Sequence, residues 1–140
     1  MDVWGYFHQK EAEFRERCGH VPDGAVFEAD DPDGQSGALR ARFWLENDVY
    51  LDVYEGVEIV DGSYVHRRAY SYALIIDGVH EHSWERDPTH PEMPLHEHHG
   101  PERKRFPSDR ISFAEAIEQV WELLSSRELA PWSLESADPE

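Results

Sequence analysis

The sequence predicts an α+β domain: an antiparallel β-meander of four to five strands packed by a C-terminal helix, with a short N-terminal helix. Three observations support this fold. Apolar residues alternate along the middle of the chain, two Asp-Gly pairs mark tight turns, and a capped apolar stripe lies near the C-terminus. At 140 residues the chain suits a single domain, which we place at residues 1–127, followed by a polar C-terminal tail at residues 128–140.

The N-terminal segment predicts a helix over residues 3–18 that ends at Gly19, because glycine often closes a helix in the left-handed conformation. Residues 21–37 are rich in Asp, Gly and Pro, and they predict a loop around one short strand, Ala25–Glu28. This segment therefore adds one helix and one strand before the central sheet.

The clearest strand signals flank a polar turn at residues 46–48. Apolar residues occupy alternate positions from Leu39 to Leu45 and again from Val49 to Val53, which is typical of strands with one buried face. A three-residue turn keeps these apolar residues on one face, whereas a two-residue turn would divide them between both faces. The longer turn predicts two cross-strand pairs on the polar face: Arg42 with Asp52, and Trp44 with Tyr50.

A long strand, Tyr64–Ile76, lies between the turn signals Asp61-Gly62 and Asp77-Gly78, and Val79–Arg86 supplies its partner. If Asp77-Gly78 forms a tight hairpin turn, three residue pairs follow from the register: Ile75 with His80, Ala73 with His82, and Ser71 with Trp84. Tyr70 and Tyr72 then lie on the opposite face, where we expect them to be core residues.

Residues 87–107 contain five prolines, and they predict an irregular loop because proline removes a backbone donor from any ladder. The chain then ends in its strongest helix signal. Ser112 and Glu115 form a capping box, and the helix that follows carries one apolar stripe: Phe113, Ile117, Val120, Trp121 and Leu124. The loop has to cross the sheet to reach this helix, so we expect it to line a groove between them.

The charge balance is strongly acidic, with a formal net charge of −17 and only two lysines against eleven arginines. Such a composition is typical of proteins from a salt-rich cytoplasm, where the screening length falls to about 3 Å in molar salt. The acids are dispersed over every element, which favours a halophilic, acidic protein over a nucleic-acid mimic or a cation-binding surface.

Several classes of protein are excluded or disfavoured by composition. One cysteine cannot form an internal disulfide, and a mean hydropathy of −0.73 without a long apolar run argues against a membrane helix. No basic-then-apolar signal peptide opens the chain, and no phosphate loop, dinucleotide fingerprint or serine-hydrolase elbow is present. We therefore expect a cytoplasmic protein that uses neither nucleotide-driven nor serine-hydrolase chemistry.

The most informative region is the segment 66–110. It holds seven of the nine histidines and seven of the thirteen Lys/Arg residues, against eight acids, so its formal net charge is −1 while the other residues sum to −16. Imidazole and guanidinium groups bind anions, metals or RNA, and imidazoles transfer protons near neutral pH. This contrast predicts a functional site within the segment.

Two chemistries suit these residues. Cleavage of RNA through the 2′-hydroxyl needs acid–base groups and phosphate-binding cations but no cofactor. For it we select the catalytic residues His90, His98 and His99, and the substrate-binding residues Arg68, Arg86, Arg103, Lys104 and Arg105. The weaker alternative is a metal ion bound by His90, His96 and His98, since the close spacing of these histidines departs from common zinc motifs. We therefore expect no cofactor.

The chain resembles the TumE-type toxins of bacterial and archaeal toxin–antitoxin pairs. The matching pieces, in order, are the hairpin Leu39–Val53, the Arg-x-Tyr-x-Tyr stretch Arg68–Tyr72, the run from His90 to Pro94, the pair His98-His99 and the capped helix Ser112–Leu124. The resemblance implies a toxin encoded beside a helix-turn-helix antitoxin, with growth arrest through RNA or the translation machinery.

The sequence thus predicts the toxin component of a toxin–antitoxin pair that inhibits growth by cleaving or binding RNA, as a metal-independent ribonuclease if it is an enzyme. The alternatives are a non-catalytic protein-binding module and a His-loop metal-binding protein. The expected partners are a helix-turn-helix antitoxin and RNA, with no membrane. DNA is expected only through the antitoxin, because the acidic remainder of the chain repels phosphates.

Overall fold

The computed structural model describes residues 1–129. They fall into two units, Met1–Arg110 and a second that begins at Ile111. Beyond Leu129, the tail expected at residues 128–140 lies outside the described residues, and the single-domain boundary remains a prediction. The elements in chain order are α1 (Val3–Cys18), β1 (Val26–Ala29), β2 (Ser36–Glu46), β3 (Val49–Val60), β4 (Tyr64–Ile76), β5 (Val79–Arg86), β6 (Leu95–His99), β7 (Lys104–Pro107) and α2 (Phe113–Leu129).

The strands form one antiparallel sheet in which each strand pairs with the next along the chain, in the order β1 to β7. The α+β class and the meander are confirmed, with seven strands where four to five were expected. The two additional strands, β6 and β7, fall in the region predicted to be irregular.

Helix α1 has the predicted length and end. The Asp2 side chain accepts a hydrogen bond from the backbone N–H of Gly5 at 3.0 Å, as an N-cap residue does. Gly19 closes the helix with φ of 84°, a left-handed conformation that glycine adopts at no steric cost. One stripe of the helix is buried: Val3, Phe7, Lys10 and Phe14.

Cross-strand pairing divides the sheet into two faces. The face that we call the core face buries large apolar side chains: Leu39, Phe43, Leu51, Tyr72, Leu74 and Trp84. Helix α1 packs on this face, where the Phe14 ring lies 4.9 Å from the Phe43 ring. The other face, the open face, carries polar and aromatic residues such as Arg42, Tyr50 and Tyr54.

A buried polar network fixes α1 to the core face. Glu55 on β3 is fully buried and accepts short hydrogen bonds from the hydroxyls of Tyr6 and Tyr72. Lys10 lies 3.6 Å from the same carboxylate, and Arg67 donates to the Tyr72 hydroxyl at 2.8 Å. Burial, followed by the charge of Glu55, raises the pKa of both tyrosines. Because a buried carboxylate without partners is costly, these contacts constrain where the helix lies.

The β2–β3 hairpin has the predicted register. Arg42 lies opposite Asp52 and Trp44 lies opposite Tyr50, and Arg42 binds Asp52 through two hydrogen bonds of 2.8 and 3.1 Å. A bulge between Trp44 and Glu46 and a left-handed Asp48 complete the turn.

The predicted register of β4 with β5 is wrong beyond its first pairs. Ile75 lies opposite His80 as expected, but a bulge follows, and His82 then lies opposite Leu74. Trp84 consequently lies opposite Tyr72, on the core face, where it is 1% exposed. One extra residue in a strand reverses the faces of all residues after it, and burial of the large indole stabilises this arrangement.

The prediction that residues 87–107 are irregular is also wrong. Leu95–His99 pairs with β5, and Lys104–Pro107 pairs with β6. The prolines avoid the interior of the ladder: Pro88, Pro91 and Pro94 precede β6, Pro101 lies in the turn, and Pro107 ends the edge strand β7. Proline is tolerated at such positions because no ladder donor is lost. The histidines from His96 to His99 therefore lie on a strand and not on a loop that crosses the sheet.

Helix α2 begins with the predicted capping box. The Ser112 N–H donates to the Glu115 carboxylate at 2.9 Å, and the Glu115 N–H donates to the Ser112 hydroxyl at 3.1 Å. The predicted stripe is buried except for Trp121, which is 45% exposed; Ala116 is buried in addition.

Candidate functional site

Strands β5 and β6 bring histidine and glutamate side chains together on both faces of the sheet. Directly opposed residues share a face. The pair Glu85 with His96 lies on the open face, and the pair His82 with His99 lies on the core face. Since neighbouring residues on a strand point to opposite faces, the adjacent histidines His98 and His99 are separated by the sheet.

Two groups result, each with two imidazoles and one carboxylate. We call Glu85, His96, His98 and the nearby Arg103 the Glu85 cluster. We call His82, Glu97 and His99 the Glu97 cluster.

The Glu85 cluster is compact and largely buried. One carboxylate oxygen of Glu85 lies 3.4 Å from Nε2 of His96, and the other lies 3.2 Å from Nδ1 of His98. His96 is 1% exposed, and its Nδ1 contacts the backbone oxygen of Met93 at 2.9 Å. With both ring nitrogens engaged inside the protein, His96 acts on its surroundings only by positioning Glu85.

His98 has one ring nitrogen in contact with two charged groups. Its Nδ1 lies 3.2 Å from Glu85 and 3.1 Å from Nη2 of Arg103, which itself lies 3.3 Å from the same Glu85 oxygen. In the tautomer with the proton on Nδ1, that proton is donated to Glu85 and Nε2 is the basic nitrogen of the ring. The Arg103 guanidinium then donates to Glu85 and not to Nδ1, because two N–H donors cannot bond to each other. Burial lowers the pKa of His98, and the charge of Glu85 opposes this effect. A neutral imidazole oriented by a carboxylate is the arrangement that acid–base catalysis requires.

A chain of hydrogen bonds that runs through His80 and Ser83 holds the Glu85 carboxylate in position. The hydroxyl of Ser83 donates to the Glu85 carboxylate at 3.2 Å and contacts Nε2 of His80 at 3.0 Å. Nδ1 of His80 in turn contacts the backbone oxygen of Gly100 at 2.8 Å. Ser83 is fully buried, so its hydroxyl is a positioning group and does not reach a substrate.

Arg103 reaches the cluster from the turn between β6 and β7. Its backbone is left-handed, with φ of 55°, and its N–H donates to the Gly100 carbonyl at 3.1 Å. Such a conformation costs a non-glycine residue on the order of 1–3 kcal/mol and is often found at functional sites. The guanidinium is half exposed, so it lies between the buried carboxylate and solvent.

The Glu97 cluster has a different electrostatic character. Nε2 of His82 and Nε2 of His99 lie 2.8 and 2.9 Å from the same oxygen of Glu97. The rings of His82 and His99 are 4.1 Å apart. Burial lowers the pKa of His82. Burial would raise the pKa of Glu97, but hydrogen bonds from His99 and His82 outweigh it and lower that pKa.

The model of the TumE toxins matches residues 11–128. The chain belongs to the TumE toxin family. It is therefore the toxin component of a toxin–antitoxin pair, with an antitoxin as partner. No curated protein and no solved structure is significantly similar to it. Among residues 1–129 of this TumE toxin, no helix is long and apolar enough to span a membrane.

The predicted catalytic histidines of the toxin lie in three places. His98 belongs to the Glu85 cluster and His99 to the Glu97 cluster. His90 lies before β6, with its ring nitrogens 3.3 Å from Asp87 and 3.7 Å from Glu92. Its ring is 6.0 Å from the His96 ring, which in turn lies 4.8 Å from the His98 ring. Within the described part of the chain, the metal-type group that contains His96 and His98 is completed by Glu85 and not by His90.

The predicted phosphate-binding residues are similarly divided. Arg103 and Arg105 lie with His98, since Arg105 is the direct β7 partner of His98. Lys104 is the partner of His99 on the other face. Arg86 lines a separate pocket of about 170 Å³ beside Arg67 and Arg110, and Arg68 forms an exposed ion pair with Asp30 at 3.1 Å.

The open face of the toxin also carries arginine–aromatic pairs that the sequence reasoning did not select. The guanidinium of Arg42 lies 4.0 Å from the Tyr50 ring, and that of Arg40 lies 4.9 Å from the Tyr54 ring. A continuous row of cross-strand partners links the second of these pairs to the cluster: Arg40, Tyr54, Ser71, Glu85 and His96. The alternation that predicted the β2–β3 pairs already placed Arg42 and Tyr50 on one polar face, and this was the available signal.

Proposed function

We propose that this TumE toxin arrests growth by cleaving RNA through the 2′-hydroxyl, without a metal ion, at the Glu85 cluster. The observation that carries the proposal is the contact of His98 Nδ1 with Glu85 at 3.2 Å beside the half-exposed Arg103 guanidinium. This combination supplies an oriented base and a cation for a phosphate at one point of an otherwise acidic protein.

In the proposed reaction, Nε2 of His98 takes the proton of the 2′-hydroxyl while the 2′-oxygen attacks the adjacent phosphorus. The bond from phosphorus to the 5′-oxygen breaks, and that oxygen takes a proton from the imidazolium of His90. The products are a 2′,3′-cyclic phosphate and a 5′-hydroxyl, so no cofactor is consumed. Arg103 stabilises the charge that develops on the non-bridging phosphate oxygens.

The substrate is single-stranded RNA bound along the open face. Arginine and tyrosine side chains in alternation bind backbone phosphates and stack on bases. Strands lie about 4.8 Å apart, so Tyr54, two strands from Glu85 in the same row, is about 10 Å away. Arg105 extends the cationic surface on the other side of His98.

Four of the residues first selected lie outside this proposed centre. His99 and Lys104 occupy the core face, Arg68 is paired with Asp30, and Arg86 lines its own pocket. For Arg68 we retain a role in contacting the RNA backbone away from the scissile bond, as a sequence-independent phosphate contact. Arg86 is the direct partner of Tyr70 on the core face, so it lies off the proposed RNA path.

For the partner, we propose a helix-turn-helix antitoxin that blocks the Glu85 cluster and contributes all contacts to DNA. Charge complementarity at an interface changes association strongly. Arg105→Glu should therefore weaken the complex, while Arg86→Glu, on the core face, and Glu58→Lys, on the acidic surface, should leave it unchanged. A complex insensitive to Arg105→Glu, or one weakened equally by Arg86→Glu, would contradict this assignment.

The proposal is tested with an RNA oligonucleotide incubated with purified toxin in excess EDTA. We expect cleavage products with cyclic phosphate and 5′-hydroxyl ends, and no cleavage of the same oligonucleotide with 2′-deoxy sugars at the cut site. Cleavage that requires added metal, or that proceeds at deoxy positions, would contradict the mechanism. Absence of any RNA cleavage by a protein that arrests growth would favour RNA binding without catalysis.

A further inference from the structure

The Glu97 cluster is not used by the proposed cleavage, yet its donor atoms converge. Nε2 of His82 and Nε2 of His99 contact one oxygen of Glu97 at 2.8 and 2.9 Å, and one ligand atom from each residue lies within 4.8 Å of the others. Two imidazoles and one glutamate form a recurrent ligand set for zinc with an open fourth position. Imidazole suits zinc and the neighbouring transition metals better than magnesium or calcium.

The geometry is close to that of a bound ion. Ligand atoms about 2.0–2.1 Å from a tetrahedral metal are about 3.3 Å apart. The observed separations of 2.8 and 2.9 Å therefore have to open by about half an ångström. Both rings are already oriented by packing, since His82 lies 4.4 Å from the Trp84 ring and His99 lies 4.4 Å from the Phe106 ring.

The charges around the cluster favour a cation. Within residues 1–129, the ion-pair partners of Glu97 are the two histidines, and no arginine or lysine lies within ion-pair distance of its carboxylate. Lys104 is the β7 neighbour of His99 but is exposed and free to turn to solvent. The Glu85 cluster, by contrast, has the Arg103 guanidinium 3.3 Å from its carboxylate, and this cation opposes a second positive charge.

We propose that His82, Glu97 and His99 bind one divalent transition-metal ion of the zinc class. His99 is 40% exposed at its side chain, so the remaining coordination position faces solvent and takes a water molecule. The ion joins β5 to β6 by side chains in addition to their backbone pairing. The site is independent of the proposed cleavage centre, which lies on the opposite face.

The test is calorimetric titration of the full-length chain with zinc chloride, after purification without a histidine tag and removal of metal with a chelator. We expect one saturable site per chain. His82→Ala and His99→Ala should each lower the zinc affinity at least about 100-fold, since even residues that only orient a metal ligand contribute about 10–100-fold.

The matched control is His98→Ala, which removes an imidazole from the adjacent position on the opposite face and should leave the zinc affinity unchanged. Melting curves in EDTA show that each variant folds, and Glu97→Gln serves as a second variant if an alanine variant does not. No saturable site in the parent chain, or an equal loss of affinity in His98→Ala, would overturn the proposal. RNA cleavage measured in EDTA reports separately on the proposed function.

Discussion

The two clusters on β5 and β6 contain the same ligand types, two imidazoles and one carboxylate, but they differ in one neighbour. Arg103 lies 3.3 Å from Glu85, whereas the Glu97 carboxylate is contacted by two histidines and by the side chain of Ser108, all three without a fixed positive charge. A guanidinium beside the carboxylate stabilises its charge and supplies a phosphate contact, and it also repels a metal ion. The comparison indicates that one added cation decides whether such a group is suited to acid–base chemistry or to metal binding.

The largest effect is expected from exchanging each carboxylate for its amide. Glu85→Gln should slow RNA cleavage by up to about 10,000-fold, because an amide in place of the carboxylate fixes the wrong tautomer of a catalytic histidine. Glu97→Gln is the matched control and should leave cleavage unchanged while it abolishes zinc binding. Single-turnover rates in EDTA and zinc titrations measure both effects, and equal losses of cleavage in the two variants would contradict the division of roles.

Removal of the distinguishing cation is expected to have the next largest effect. Arg103→Asn keeps a residue type that tolerates the left-handed backbone and should slow cleavage by about 100–1,000-fold, as loss of one group that stabilises the transition-state charge does. It should also make Glu85, His96 and His98 available to a metal, so that the zinc stoichiometry rises from one to two. A stoichiometry that stays at one would show that Arg103 is not what excludes the ion.

A smaller effect is expected on stability. At a zinc concentration 100-fold above the dissociation constant, binding to the folded state should add about 2.7 kcal/mol to the free energy of unfolding. His99→Ala should lose this gain and His98→Ala should keep it, as measured by denaturant unfolding with and without zinc. A gain retained by His99→Ala would contradict the assignment of the ligands.

The smallest expected difference between the two clusters is in how salt changes the melting temperature. The acidic remainder of the surface repels itself in dilute buffer, so we predict that the melting temperature rises between low and molar potassium chloride. The rise should be the same for Glu85→Gln and Glu97→Gln, because screening acts on the whole surface. A melting temperature that does not rise would contradict the halophilic character predicted from composition.

The comparison also explains what could be read from the sequence. The β2–β3 register was predictable because a polar turn and two alternating segments leave one consistent arrangement. The β4–β5 register was not, because the bulge after His80 leaves no mark in the apolar pattern, and either register provides plausible partners for His82 and Trp84. Strands β6 and β7 were not predicted because five prolines in residues 87–107 indicated an irregular loop. Each of these prolines lies at a position where the missing backbone N–H donor is tolerated.

The same reasons explain the partial prediction of the site. His98, Arg103 and Arg105 were selected by residue type and are neighbours in the fold. Glu85 was missed because it is one of thirty acidic residues and only the pairing of β5 with β6 singles it out. Once β6 is known to be a strand, alternation alone separates His98 from His99.

The most direct test of the account is the cleavage of one RNA by His98→Ala and by His99→Ala, both measured in excess EDTA. The two variants remove the same side chain from adjacent residues on opposite faces. We predict that His98→Ala is at least about 100-fold slower than the parent toxin, as loss of a general base implies, and that His99→Ala is unchanged. Unimpaired cleavage by His98→Ala, or an equal loss in both variants, would contradict the assignment of catalysis to the Glu85 cluster.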